Sequence, residues 1–179
     1  MMSARIFESV VRVLGTGHRP DAGLRTLEVE TVVASSLDAT FAFFSDAGNL
    51  EQLTPPWISF QIRTARPIEM HAGAVIDYQI SLYGVPIPWR TRIDVWEPGV
   101  RFIDRQVAGP YRWWLHEHLF EAVEGGTRVI DRVAYLPRAA AISAWLVRRD
   151  VERIFAYRQE ILPRLFAANH RALPVTATS

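Results

Sequence analysis

Hydrophobic and polar positions follow two different periods along this chain, and the boundaries between them divide it into elements. From Leu24 to Ala34 the residues Leu27, Val29, Thr31 and Val33 alternate with exposed-type neighbours, the two-residue period of a half-buried strand. Ser36-Leu37-Asp38 then offers a helix N-cap, and Ala39 to Ser45 reads as a short helix carrying Phe41, Ala42 and Phe44. A second short helix over Ala47 to Leu53 must stop at Thr54-Pro55-Pro56, because proline lacks the backbone donor and clashes with the preceding turn. Six strand-like runs follow: Ile58–Arg66, Val75–Tyr83, Pro88–Trp96, Arg101–Val107, Arg112–Glu124 and Thr127–Leu136. Turn signals separate the last five from what precedes them, at Ala72-Gly73, Gly84-Val85-Pro86, Glu97-Pro98-Gly99, Gly109-Pro110 and Gly125-Gly126.

The period then lengthens. Between Ile142 and Asn169, apolar residues recur at Val147, Val151, Ile154, Phe155, Ile161, Leu162, Leu165 and Phe166, the spacing of one face of a long amphipathic helix. Arg148, Arg149, Asp150, Arg153 and Glu160 take much of the other face, and Pro163 is expected to kink or restart the helix. Residues 1–23 read as an extension: Ile6, Val10, Val11 and Leu14 allow a short amphipathic helix, followed by a Gly- and Pro-rich linker. Residues 24–169 then form one domain, and residues 170–179 a tail.

The order is strand, two short helices, six antiparallel strands and one long helix. A curved seven-stranded antiparallel sheet wrapped around the C-terminal helix buries every apolar face at once, an α+β helix-grip architecture. Such a sheet closes poorly at its ends and tends to leave an internal cavity.

Composition narrows the chemistry. The 179 residues are 49% hydrophobic and 22% charged, enough for one sizeable core. Acidic and basic residues nearly cancel at a net charge of +1, which disfavours the basic stripe a nucleic-acid partner requires. Every basic residue is an arginine, so lysine Schiff-base and P-loop chemistry are excluded. The absence of cysteine excludes disulfides, thiolate metal sites and thiol catalysis. No secretory signal or stretch of about 18 apolar residues is present, so a cytoplasmic protein without stable membrane insertion is expected.

Several stretches resemble the ligand-binding SRPBCC proteins, the superfamily of START-type domains, birch-pollen-allergen-like proteins and polyketide cyclases. They are Leu53-Thr-Pro-Pro-Trp57, Gly73 to Tyr78, Trp89, Trp96-Glu-Pro98, Phe102-Ile-Asp-Arg-Gln106, Gly109-Pro-Tyr111, Trp114-Leu-His-Glu-His-Leu-Phe120, Gly126-Thr127 and Asp131-Arg-Val-Ala-Tyr135. The resemblance covers roughly Leu24 to Leu165 and implies the same helix-grip fold. It says little about chemistry, since carriers, sensors and enzymes share that scaffold.

Strand alternation puts Trp114, His116, His118 and Phe120 on one face and Trp113, Leu115, Glu117 and Leu119 on the other. If Ala122 faces Thr127 across the Gly125-Gly126 hairpin, His118 falls opposite Asp131, His116 opposite Val133 and Trp114 opposite Tyr135. That register gathers two histidines, a carboxylate and three aromatics, and the family motif singles out the same face as pocket lining. Asp104 and Gln106 share a face of the preceding strand, where an inward Asp104 needs a partner such as Arg90, Arg92, Arg132 or a histidine. Trp57, Tyr78 and Trp89 are further aromatic candidates for the cavity wall, Trp57 at its mouth.

The expected function is binding of a hydrophobic or amphipathic small molecule. Trp114, His116, His118, Phe120, Tyr135, Trp57, Tyr78 and Trp89 would contact it, with Asp104, Gln106 and Asp131 fixing its polar groups. The alternative is a cyclase- or dehydratase-type enzyme using His116, His118, Asp131 or Asp104 as acid and base. With only two clustered histidines and no cysteine, no metal and no cofactor are expected.

Overall fold

The computed structural model describes residues 24–82, 84–138 and 141–172. The expected N-terminal helix and linker of residues 1–23 and the end of the tail lie outside the described residues.

Seven strands form one antiparallel sheet: β1 (Arg25–Val33), β2 (Ile58–Ile62), β3 (Val75–Leu82), β4 (Val85–Glu97), β5 (Arg101–Ala108), β6 (Tyr111–Val123) and β7 (Gly126–Pro137). Their spatial order is β1-β7-β6-β5-β4-β3-β2. The chain crosses once from edge to edge, through helix α1 (Leu37–Ser45) and a 3-10 turn (Ala47–Glu51), then meanders back by hairpins until β7 pairs with β1. Ser36 caps α1 by accepting from Ala39 N–H at 3.3 Å, and Asp46 caps the 3-10 turn through Gly48 N–H at 2.7 Å. The β6–β7 turn depends on glycine. Gly125 has φ of +79°, and a Cβ at Gly126 would collide with the carbonyl of Val33, so the start of β7 can close on β1 only without a side chain there.

Two boundaries differ from the sequence reading for identifiable reasons. β4 starts at Val85, ahead of Pro88, and so contains Pro86 as well. Those prolines pair with Ser81 and Gln79 of β3, while β5 joins β4 only from Arg90↔Ala108, so the missing donors cost no ladder bond on that unpaired side. β2 ends at Ile62 rather than Arg66, because Arg63 and Thr64 N–H both converge on the Asp77 carbonyl and the ladder stops.

Helix α2 (Ala141–Ala172) is a single helix, extending past Asn169 into the expected tail, and Pro163 neither ends nor restarts it. Burial overrides the proline: Leu162 and Phe166 on either side of it are locked into the core against Phe44, Phe102 and Phe120. A second core cluster, Trp89, Trp114, Val133 and Tyr135, packs against Val151 and Phe155 of the same helix. The inner face of the sheet thus grips α2 along its length. On the outer face a ladder of charges crosses the strands: Arg132 pairs with Glu28 at 2.8 Å and Glu117 at 3.3 Å, and Arg101 pairs with Glu117 at 3.0 Å and Glu97 at 2.8 Å. Glu117 is buried within that ladder, which supplies the partners a buried carboxylate requires. No helix among the described residues is long and apolar enough to cross a membrane.

Candidate functional site

Strand register alone assembles the polar cluster. His116 pairs with Val133, His118 with Asp131 and Trp114 with Tyr135, as expected from Ala122↔Thr127. On the other side of β6, Asp104 pairs with His116 and Phe102 with His118. Residues directly opposite one another across a ladder project from the same face. Asp104, His116, His118 and Asp131 therefore all point inward, toward α2.

The two imidazoles lie side by side, their centroids 3.8 Å apart, between two carboxylates. His116 Nε2–H donates to Asp131 Oδ1 at 2.9 Å, and His118 Nε2–H donates to Asp104 Oδ2 at 3.3 Å. His118 Nδ1 also sits 2.9 Å from Asp131 Oδ1, but outside hydrogen-bond geometry. Phe102 stacks on His118 at 4.3 Å, and Phe155 of α2 meets His116 edge-on at 5.3 Å. His116 and His118 are 4% and 6% exposed, and Asp131 is 3% exposed. Asp104 thus takes the histidine option among its expected partners. Arg90 pairs instead with Asp77, Arg92 with Asp94, and Arg132 with Glu28 and Glu117.

Burial and pairing split the two histidines. Burial, and then the neighbouring His118 charge, push the His116 imidazole below its ordinary value, against the pull of Asp131. Burial also disfavours the charged form of His118, but its hydrogen bond to Asp104 and the Asp131 carboxylate 2.9 Å away outweigh it and raise that imidazole. Asp131 is opposed by burial too, yet the His116 hydrogen bond and the His118 ring beside it hold it well below the usual carboxylate range. His118 is accordingly the proton carrier of the pair. A neutral His116 has one N–H, which goes to Asp131, so its Nδ1 lone pair faces Asp104 Oδ2 across 3.5 Å without bonding. Heteronuclear NMR titration should show His118 losing its proton above pH 6.5 and His116 below it. The reverse order, or one shared midpoint near 6.5, would contradict this assignment.

Beside the cluster lies a cavity of about 220 Å³ between the sheet and α2. Tyr78 stacks on Trp89 at 5.8 Å, and Trp89 meets Trp114 edge-on at 5.3 Å. Thr91 satisfies their polar ends, since Trp89 Nε1–H donates to its hydroxyl at 3.1 Å and the Tyr78 hydroxyl lies 3.2 Å from it. Burial pushes the Tyr78 phenol far up, so it remains a neutral donor. The 3-10 turn and Leu53-Thr54-Pro55 close one side.

Six of the residues singled out from sequence stand in this wall: Trp114, His116, His118, Asp104, Tyr78 and Trp89. Five do not. Asp131 lies behind the imidazoles and acts through them. Phe120 packs under α1 against Phe41 and Phe44 at 5.3 and 5.2 Å, and Tyr135 sits behind Trp114 and Tyr111. Gln106 is a hairpin clamp: its amide donates to the Tyr111 carbonyl at 2.8 Å and its oxygen accepts from Tyr111 N–H at 3.2 Å. Trp57 is 44% exposed and packs outside, against the Tyr157 ring at 5.7 Å and the Arg153 guanidinium at 4.9 Å.

The wall also holds Ile154, Phe155 and Arg158 from α2, which the sequence reading did not place in the site. Arg158 carried a usable signal. It falls four residues after Ile154 and four before Leu162, so it interrupts the helix's apolar stripe rather than joining its charged face.

Among the described residues, Asp104, His116 and His118 form the group whose ligand atoms, all within 4.8 Å of one another, could hold a metal ion. The same nitrogens already face carboxylate oxygens, an arrangement in which protons bridge the cluster.

No protein-family model matches the chain, and no curated protein does. Solved structures do. The ZhuI aromatase/cyclase from Streptomyces sp. R1128 is similar with a TM-score of 0.64 and 17% identity, over 87% of this chain and 99% of that one. CV1439 from Chromobacterium violaceum is similar with a TM-score of 0.64 and 12% identity, over 79% and 96%. Ara h 8.0201 is similar with a TM-score of 0.55 and 17% identity, over 78% and 98%. This is the helix-grip fold. Identities this low establish architecture and leave the activity open.

Proposed function

We propose that the chain binds a hydrophobic or amphipathic small molecule between its sheet and its long helix. The cavity carries this reading: it is walled mainly by apolar and aromatic side chains, with a few convergent polar groups, the composition of small-molecule sites in general. Tyr78, Trp89 and Trp114 supply the apolar contact. The Asp104 carboxylate and the two imidazoles supply a polar patch that orients the ligand. The near-neutral charge favours no nucleic acid, and a cytoplasmic carrier, sensor or accessory binding protein fits the whole.

One observation supports an enzymatic alternative of cyclase or dehydratase type. Two adjacent imidazoles in the cavity wall are shifted in opposite directions, the pattern of paired acid and base groups. His118 would donate a proton to a carbonyl oxygen of the substrate and Asp131 would fix its orientation from behind. The name of one similar structure, an aromatase/cyclase, points the same way.

His118→Gln separates the readings, because glutamine keeps a hydrogen-bonding tip but cannot exchange a proton near neutral pH. Native mass spectrometry of protein purified without detergent should show an apolar molecule retained, unchanged on incubation, and still retained by His118→Gln. Conversion of that molecule by the wild type, falling roughly a hundredfold in His118→Gln while retention persists, would replace the carrier reading with the enzyme.

A further inference from the structure

Arg158 stands out among the arginines of the described chain. Its neighbours on α2 pair along the helix surface, Arg148 with Glu152 at 2.7 Å and Arg164 with Glu160 at 2.9 Å. Arg158 instead enters the apolar stripe and forms part of the cavity wall, its guanidinium 5.1 Å from the Phe155 ring centre. Its Nε and Nη1 are out of reach of solvent, and among the described residues no group accepts a hydrogen bond from either. Arginine cannot neutralise itself by releasing a proton under ordinary conditions. Two buried, unpaired guanidinium donors are costly to the fold, and a fold retains them where a ligand supplies the acceptor.

We propose that Arg158 anchors a negatively charged oxygen of the bound molecule, so that the ligand of this cavity is an apolar anion. A carboxylate, enolate or phenolate on an aromatic or alicyclic body meets that description. This rests on the reading of the cavity as a ligand site and specifies the class of ligand it takes. The rest of the wall assigns the polarity. Two carboxylates flank the imidazoles, Asp131 at 2.9 Å from His116 and Asp104 at 3.3 Å from His118, so the polar cluster disfavours a further anionic group and favours hydroxyl donors. The anionic end therefore belongs at Arg158. Asp104, Tyr78 and Arg158 all line the same cavity of about 220 Å³, so the two ends face one small space. Asp150, the other charged wall residue of α2, lies two turns earlier, beside Arg149 at 3.8 Å.

The test uses 2-naphthoate and 2-naphthamide, which share a body and differ in the charge of one group. Calorimetric titration of the wild type should show the carboxylate binding roughly tenfold or more tightly than the amide, as charge-assisted bonding requires. In Arg158→Met the preference should disappear while amide affinity stays within about threefold, and Arg158→Lys should retain part of it. Thermal unfolding provides a second readout. If Arg158 serves the ligand, Arg158→Met unfolds at the same or a higher temperature without ligand, because two buried unpaired donors have been removed. Equal affinity for the two probes in the wild type, or an undiminished preference in Arg158→Met, would overturn the anion anchor while leaving the cavity reading intact. A lowered unfolding temperature in Arg158→Met would make the residue structural and overturn it too. Binding of neither probe would remove the cavity reading itself.

Discussion

Asp131→Ala should lower the stability of this protein by about 3–5 kcal/mol at pH 6, the usual cost of removing one partner from a buried charged pair. Asp131 is 3% exposed and serves both imidazoles, so its loss strands His118 in the core with Asp104 alone. The effect has a pH signature. Because Asp131 is held below its ordinary value of 3.8, its contribution is present above that value and is lost as pH falls through the folded one. Because His118 is raised above 6.5, its contribution is complete below 6.5 and is lost as pH rises through the folded value. The deficit of Asp131→Ala is therefore largest between about pH 4 and 6.5, where both groups are charged, and shrinks toward pH 8.5 as His118 deprotonates. His116, lowered, opposes this trend on the acid side in wild type and variant alike. Denaturant unfolding at pH 6 and pH 8.5 measures both. A loss below about 1 kcal/mol at pH 6, or a larger loss at pH 8.5, would show that Asp131 does not hold the cluster together.

Trp114→Ala should cost about 3–5 kcal/mol of stability, the range for truncating a large buried aromatic. Trp114 is 9% exposed and touches Trp89, Tyr111 and Tyr135, at ring distances of 5.3, 4.7 and 5.9 Å. Its indole belongs both to the second core cluster and to the cavity wall. Ligand affinity should fall with it, by about 2–4 kcal/mol when the ring is covered by ligand. The two losses are separable by titrating at a temperature where the variant remains folded. A fold unaffected by the truncation would place Trp114 outside the core.

Much of this was legible from the residues because strand alternation and hairpin register are local rules. Once Gly125-Gly126 fixed the β6–β7 turn, the positions of His116, His118 and Asp131 followed, and β5 needed only Asp104 to meet the same face. Register cannot say how far along a curved sheet the cavity extends. Phe120 and Tyr135 share the inner face but lie where α1 and Tyr111 cover it, so they became core. Gln106 shares that parity as well, yet the turn at Gly109 draws its amide to the Tyr111 backbone. Trp57 precedes β2 and is turned outward onto α2, a tertiary contact that no local pattern encodes. The helix side of the wall was hidden for another reason. Ile154 and Phe155 read as ordinary core positions, and only the charge of Arg158 within the stripe distinguished cavity from packing.

Titration with N-phenyl-1-naphthylamine, an uncharged fluorophore that brightens in apolar surroundings, tests the ligand cavity most directly. The wild type should saturate at one molecule per chain, with tryptophan emission quenched in parallel because Trp89 and Trp114 line the site. Trp114→Ala should bind roughly thirtyfold more weakly or worse. Emission that rises without saturating, or a curve unchanged in Trp114→Ala, would contradict a binding site between the sheet and the helix.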